Sequence, residues 1–518
     1  MDCAEMLAAG GCGSTESCVT ARSSSVGPTV GGGFVTGRSV AMSLALLAGI
    51  TLLGKDFAYA QAAGPSSGGV NTLPPAAQGA YAGSVPDKLV PGVLQLSLQD
   101  AIARGLKQNL GALLASEDVR AAQGERWKQL SALLPNVTTS TYIQDSKVDL
   151  AEFGFTFKFP ASTGITIPTV VGPFQYFDSR ANLTQSVLNW KAINNSRAAT
   201  QNEKSAQSTY KDARDLVVLA VGYTYLQAVA DEARIETAEA QVKTAQTLFN
   251  QATDQVHAGT SPAIDALRAQ VELKSRQQQL IQAKNSFAIQ KLALARVIGL
   301  APGQEYELVD KSPYQPFAGM AVGEALKRAY DSRSDYQAAL ADVRSAEYAH
   351  KAAEAGYLPT LDFSADYGLA GTYPNPSTRG VFDVRGTLTI PIFQGGRVHG
   401  DIVEADARLK QSRERAENLR AQIDEDVRTA LLNVQSAEEQ VAVSQSNIEL
   451  ADQTLAQSED RFRAGVTDTV EVVQAQEAVA SAHESYISSL YQDNYAKISL
   501  ARALGVAEEG IKDYLKGK

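Results

Sequence analysis

The chain has 518 residues, with 47 basic and 57 acidic side chains and a formal net charge of −10. An acidic chain is no candidate for nucleic-acid binding, and a hydrophobic fraction of 44% excludes both a disordered chain and a bundle of membrane helices. The three cysteines, Cys3, Cys12 and Cys18, lie near the start without Cys-x-x-Cys spacing, which excludes a zinc cluster, a disulfide framework or a cysteine nucleophile in the body.

The first element in chain order is an export signal. Arg38 precedes an apolar run over 40–53, followed by Ala58, Tyr59 and Ala60. A basic residue, a short apolar stretch and an A-x-A site predict a signal peptide over 1–60, with an atypical N-terminal extension and too short to span as a membrane helix. Cleavage after Ala60 leaves a chain without cysteine, which fits a bacterial envelope compartment. Residues 61–94, rich in Gly, Pro, Ser and Ala, read as a flexible leader.

The remainder is a tandem duplication. Val256, His257, Ala258, Gly259 and Thr260 recur as Phe462, Arg463, Ala464, Gly465 and Val466, and the same offset carries Gly299 onto Gly505. Near the front of each copy, Leu134 and Pro135 match Leu358 and Pro359. The repeats run over 95–303 and 321–506, with a linker over 304–320 and a tail over 507–518.

Each copy has the same order of elements. A first helix is predicted over 97–134 and again over 322–358, each ending at the proline. Alternation then predicts strands over 137–144 and 176–188 in the first copy. In the second, Leu361, Phe363, Ala365 and Tyr367 alternate with Asp362, Ser364 and Asp366, and Phe382, Val384, Leu388 and Ile390 with Asp383, Arg385, Thr387 and Thr389. The stretches 190–257 and 401–463 contain no proline and predict helices about 100 Å long. A glycine turn leads from each into a second helix that closes at Gly299 or Gly505.

A helix of that length cannot fold back into one compact globule, so its faces need partners. The strands carry the same requirement. An amphipathic strand of about ten residues matches an outer membrane, but a transmembrane barrel needs at least eight strands and tolerates no open edge. Four strands per chain cannot close a barrel, whereas three chains supply twelve.

With these features in hand, the chain resembles the TolC-type outer-membrane efflux proteins (outer membrane factors). The likeness covers about 95–510, nearly all of the processed chain. It rests on Leu133, Leu134, Pro135, Asn136, Val137 and on Tyr357, Leu358, Pro359, Thr360, Leu361 opening the strands, and on the run from Leu388 through Gly396 to Arg397 before a long helix. The turns at Gly259 with Asp265 and Gly465 with Glu471 complete it. The resemblance implies a mainly α fold with a small transmembrane β part. Tandem-duplicated long-helix hairpins would form a trimeric α-barrel of twelve helices, continued by a twelve-stranded β-barrel with four strands per chain. It further implies an outer-membrane location with the tunnel in the periplasm, a passive exit duct for tripartite efflux or type I secretion, and docking to a periplasmic adaptor (membrane fusion) protein and an inner-membrane resistance-nodulation-division (RND) or ABC pump. The alternative from the long helices alone is a soluble periplasmic coiled-coil adaptor or scaffold.

The candidate site residues follow. Ser261 with Pro262 and Thr467 with Asp468 read as helix starts, a hydroxyl cap with proline at the first helical position and, from Asp468 to Glu471, the spacing of a capping box. The turns Val256, His257, Ala258, Gly259, Thr260 and Phe462, Arg463, Ala464, Gly465, Val466 shape a hairpin, and by resemblance they meet the adaptor's tips. Asp265 and Glu471 complement a helix macrodipole, and in a trimer each becomes a ring of three acids that favours cations at a periplasmic gate, together with Asp468. Where resembling channels carry a second acid, this chain has Gln474, and Thr467 replaces a latching Arg. Leu361, Phe363, Tyr367, Phe382, Val384, Leu388 and Ile390 are expected to line the membrane face of the strands, in contact with outer-membrane lipid. Aromatic clusters over 153–159 and 174–177 suit either interface anchoring or packing of an extracellular plug. His257, His350, His399 and His483 are scattered without metal spacing, and no cofactor or catalytic constellation stands out.

Overall fold

A computed structural model of the chain describes residues 79–155, 162, 164, 167–310, 314–372 and 378–510. The expected signal peptide, the leader up to residue 78 and the end of the tail lie outside these residues, as does much of the 153–159 aromatic cluster.

Strand β1 (Leu94–Leu96) is followed by α1 (Leu98–Gln108) and α2 (Leu110–Ser131), then by β2 (Asn136–Asp149) and β3 (Val170–Leu188). The first long helix, α3, spans Trp190–His257, and α4 returns over Ala263–Ile298. After β4 (Tyr306–Leu308) the order recurs as α5 (Val322–Ser332), α6 (Ser334–Glu354), β5 (Thr360–Thr372), β6 (Arg379–Thr389), α7 (Arg397–Arg463) and α8 (Thr469–Ala503).

The first helix expected in each copy is two helices, and the reason is local. Asn109, fully buried, takes an extended conformation (ψ 133°) and caps α2 by accepting from the Gly111 N–H at 2.9 Å. Its amide donates to the Tyr81 carbonyl at 2.7 Å. Arg333 makes the equivalent break (ψ 119°), with its buried guanidinium paired to Asp335 and to Asp426 of α7, each at 2.7 Å. Neither break carries a glycine or proline, so hydrophobic periodicity runs straight across it.

Residues 79–93, within the stretch expected as a flexible leader, are tied to the first repeat. Val85 N–H donates to the Gln108 carbonyl and Asp87 N–H to the Gly299 carbonyl, both at 2.9 Å. The Tyr81 ring lies where a side chain at Gly111 would stand. Beyond them β1 pairs in parallel with β4, burying Leu96 and Tyr306.

Two cores sit at this level. One joins Val217, Val221 and Tyr225 of α3 to Leu294 and Ile298 of α4 and Ile102 of α1. The other joins Ile423 and Val427 of α7 to Ala325 and Ala329 of α5 and Leu500 of α8. Gly222 explains the single glycine in α3: a Cβ there would meet Ile498 of α8 at 2.9 Å. A third, smaller cluster lies near the hairpin ends and holds Leu248, Ala252, Ala269, Phe462 and Val472.

The other four strands form an antiparallel sheet of order β2-β3-β5-β6. The helices joined to its ends repeat that order, since α2 packs on α3, α3 on α6, and α6 on α7. On the other side of the cores the order is α4-α3-α8-α7. Among the described residues the large sheet and both of these helix rows thus hold four members with two free edges.

Candidate functional site

The two hairpin tips have the same backbone. Gly259 (φ 72°) and Gly465 (φ 69°) are left-handed, a conformation that glycine adopts without a Cβ penalty. Their N–H groups donate to the carbonyls of Val256 (3.1 Å) and Phe462 (3.0 Å), and the next residues, Thr260 and Val466, donate to Gln255 and Arg461, each at 3.0 Å. These paired bonds satisfy the last carbonyls of α3 and α7 and reverse the chain in a few residues.

The helix starts differ from the capping expected. Pro262 is itself the cap residue of α4, without a side-chain cap, and Ser261 Oγ donates instead to Gln255 Oε1 at 3.3 Å. Asp468 does cap α8, accepting from the Val470 N–H at 3.1 Å. Glu471 closes no capping box: it pairs with Arg461 of α7 at 3.1 Å and accepts the Thr467 hydroxyl. The reason is reach, since a guanidinium across the turn offers a charged partner that the cap N–H does not.

The tip residues therefore divide. Asp265 is buried and lies 3.5 Å from Arg268 of its own helix. Glu471 is half-buried, while Asp468 and Gln474 are exposed. His257, Ala258, Gly259 and Thr260 are exposed, as are Ala464, Gly465 and Val466, with Val256 half-buried. Arg463 points outward, held by Asp460 at 2.8 Å and Glu459 at 3.2 Å. Phe462 does not belong to the exposed set. It is 3% exposed and packs in the tip core. A large apolar ring at the end of a helix hairpin is better buried by the partner helix than left in water.

The sheet separates its two faces by register. Tyr367 stands opposite Phe382, Ala365 opposite Val384, and Leu361 opposite Leu388, with Leu183 and Ala181 of β3 on the same face. Tyr367, Phe382, Val384 and Leu388 are each more than 60% exposed, so this is an uncovered apolar surface. Phe363 shares the face and is half-buried. Ile390 lies one residue beyond β6, just before Pro391, although it is equally exposed. The opposite face is polar and carries Arg180, Asp178, Asp366, Asp383 and Arg385. Among the described residues, strands β2 and β6 each have a single neighbour, which leaves two open backbone edges.

Exposed apolar side chains also mark the edge helices. Ile264, Leu267, Val271, Ile281 and Leu292 stand out from α4, and Leu432, Val443 and Leu450 from α7. No described helix is long and apolar enough to cross a membrane.

Residues 106–300 and 325–506 match the family model described as outer membrane efflux protein, one segment for each repeat. The chain belongs to the outer membrane efflux protein family. Among relatives of this family, Outer membrane protein TolC of Escherichia coli is 23% identical over 349 residues, covering 63% of this chain and 69% of that protein. The pyoverdine export outer membrane protein OpmQ of Pseudomonas putida is 23% identical over 335 residues, covering 64% and 70%. The fold is similar to that of the outer membrane protein VceC from Vibrio cholerae, with a TM-score of 0.66 at 19% identity over 79% of this chain and 96% of that one. This chain is therefore an outer membrane efflux channel protein, and nothing in these comparisons supports the soluble adaptor alternative.

Sequence reasoning missed the role of Arg461, which faces Glu471 across the tip turn, and the Asp178–Arg180 pair on β3. Both were legible in principle: Arg461 precedes the duplicated turn, and Asp178 and Arg180 share a strand face at a spacing of two.

Proposed function

We propose that three copies of this chain close into one passive duct. Their sheets complete a twelve-stranded barrel in the outer membrane, and their helices form a tunnel across the periplasm that ends at the Gly259 and Gly465 turns. The observation that carries this is the agreement of the layers. Sheet and helix rows alike hold four members, and their free edges bear either unpaired backbone or exposed apolar side chains. Open strand edges are not tolerated in lipid, so the edges of β2 and β6 need the opposite edges of neighbouring copies. The apolar face then meets lipid and the polar face lines a water-filled lumen.

At the tips, His257 to Thr260 and Ala464 to Val466 form the surface for a periplasmic adaptor, while Phe462 supports it from below. Energy comes from an inner-membrane pump of the RND or ABC type. Asp265 and Glu471, each repeated three times, ring the periplasmic constriction. Glu471 contributes more strongly, because Asp265 is buried beside Arg268. With Gln474 in place of a second acid the ring is thin. Arg461 holds Glu471 in the closed tip and takes the latching role that Thr467 cannot.

The test is planar-bilayer conductance of detergent-extracted protein, with its size read on a semi-native gel. Discrete steps from a trimer, and a smaller cation preference in Glu471→Gln, are expected. A monomer that never forms a pore overturns the duct.

A further inference from the structure

On the polar face of the sheet, Arg180 grips Asp178 through Nε, at 2.9 Å from both carboxylate oxygens, and through Nη2 at 2.8 Å. Its Nη1 reaches Asp366 of β5 at 3.3 Å, which joins a strand of the first repeat to a strand of the second. The Tyr176 hydroxyl donates to Asp178 at 3.1 Å. Asp178 is only 2% exposed beneath this cover. Gly368 stands opposite Arg180 and leaves room for it, since a Cβ there would meet Arg180 Cα and Cγ at 2.7 Å. Asp383 of β6 stands opposite Asp366 and pairs with Arg385 at 3.1 Å.

By register this face carries four aspartates (Asp178, Asp362, Asp366, Asp383) against three arginines (Arg180, Arg379, Arg385). The charges lie on β3, β5 and β6, while Thr138, Ser140, Tyr142 and Gln144 of β2 are neutral. We infer that the Asp178–Arg180–Asp366 cluster sets the charge selectivity of the barrel, with Arg180 holding the wall one negative charge per subunit from neutrality so that solutes of either sign pass. This rests on the trimeric duct proposed above and is distinct from the acid ring at its periplasmic tip.

The dimensions make the cluster effective. Twelve strands about 4.8 Å apart and tilted by about 40° close at a radius of about 12 Å. Side chains of arginine length bring the charges to within about 6 Å of the axis, inside the Debye length of about 10 Å at 0.1 M salt. Every path through the barrel therefore runs within reach of these groups. Neutralising Arg180 leaves two freed carboxylates per subunit, and neutralising Asp366 removes the net negative charge.

The experiment is the reversal potential of single channels in a tenfold KCl gradient, for wild type, Arg180→Gln, Asp366→Asn and Asp383→Asn. Relative to wild type, Arg180→Gln is expected to raise the cation-to-anion permeability ratio by at least about twofold at low salt, and Asp366→Asn and Asp383→Asn to lower it, with all differences collapsing near 1 M. A merely structural cluster would not move the ratio in opposite directions. Asp383 lies outside the Arg180 cluster, so its variant still reads the wall charge if Arg180→Gln fails to assemble. Pores whose ratio is the same in every variant that assembles, while Glu471→Gln changes it, overturn this inference and leave the duct standing. No pore from wild type overturns both.

Discussion

Arg234 of α3 and Glu484 of α8 form a two-pronged ion pair, with Nε and Nη2 at 3.0 and 2.9 Å from Oε1, that joins the hairpin of one repeat to that of the other. Arg234 also holds Asp231, nearly buried, at 2.7 Å. Arg234→Ala removes both contacts and leaves the largely buried Asp231 without its cation, a loss of about 1–3 kcal/mol. Glu484 is more exposed, so Glu484→Gln costs less than about 1 kcal/mol. Thermal melts of the detergent-solubilised protein should rank the two variants in that order.

The glycines that end the helices are not equivalent. Gly465 has open space around it, and Gly465→Ala meets only the left-handed backbone penalty of about 1–2 kcal/mol. Gly505 (φ 72°) abuts the break at Arg333, where a Cβ would stand 2.6 Å from the backbone nitrogen. Gly505→Ala must also displace that backbone, so its melting temperature should fall well below that of Gly465→Ala. Equal losses would mean that the break gives way freely.

Phe462 and Val466 sit four residues apart and should respond oppositely. Phe462→Ala empties the tip core at a cost of about 3–5 kcal/mol. Val466, 69% exposed, should tolerate alanine within about 0.5 kcal/mol yet lose site-specific crosslinking to the adaptor. Melting curves read the first effect and photo-crosslinking in cells the second.

The acids around the Arg333 break give stability a two-sided pH dependence. Burial pushes Asp215 up, against the hydrogen bond it accepts from the Glu508 N–H, and burial likewise raises Asp212, against the charge of Arg502. Burial also pushes on Asp335, but hydrogen bonds and charge from Arg333 outweigh it and hold this carboxyl below its usual value. A raised carboxyl penalises the fold while ionised, and the penalty lifts as pH falls through its folded value; a lowered one stabilises above its unfolded value, and that is lost as pH falls further. Asp215→Asn should therefore melt at or above wild type at neutral pH and lose that advantage as pH falls through the raised titration of Asp215. Asp335→Asn should melt below wild type at neutral pH, the gap closing only in acid below the usual carboxylate range.

Much of this architecture is written locally. The span Trp190–His257 follows from a long stretch without proline, ended by a turn that needs a left-handed glycine. The four strands follow from period-two alternation, and the two repeats from matched turns. The breaks at Asn109 and Arg333 were not legible. Each depends on buried partners far along the chain, the Tyr81 carbonyl for one and Asp426 for the other.

The same limit holds at the candidate sites. Position alone put Phe462 on the outer tip and gave Glu471 to a capping box. Packing against Leu248 and Val472 buries the first, and Arg461 across the turn engages the second. By itself the sequence determined the periodicity of each element, its ends and the duplication, because these depend on neighbours a few residues away. Only the tertiary structure decided which face of a helix is covered, which acid meets which base and which edges stay open. Those outcomes depend on the side chains that distant segments bring together, and no local pattern contains them.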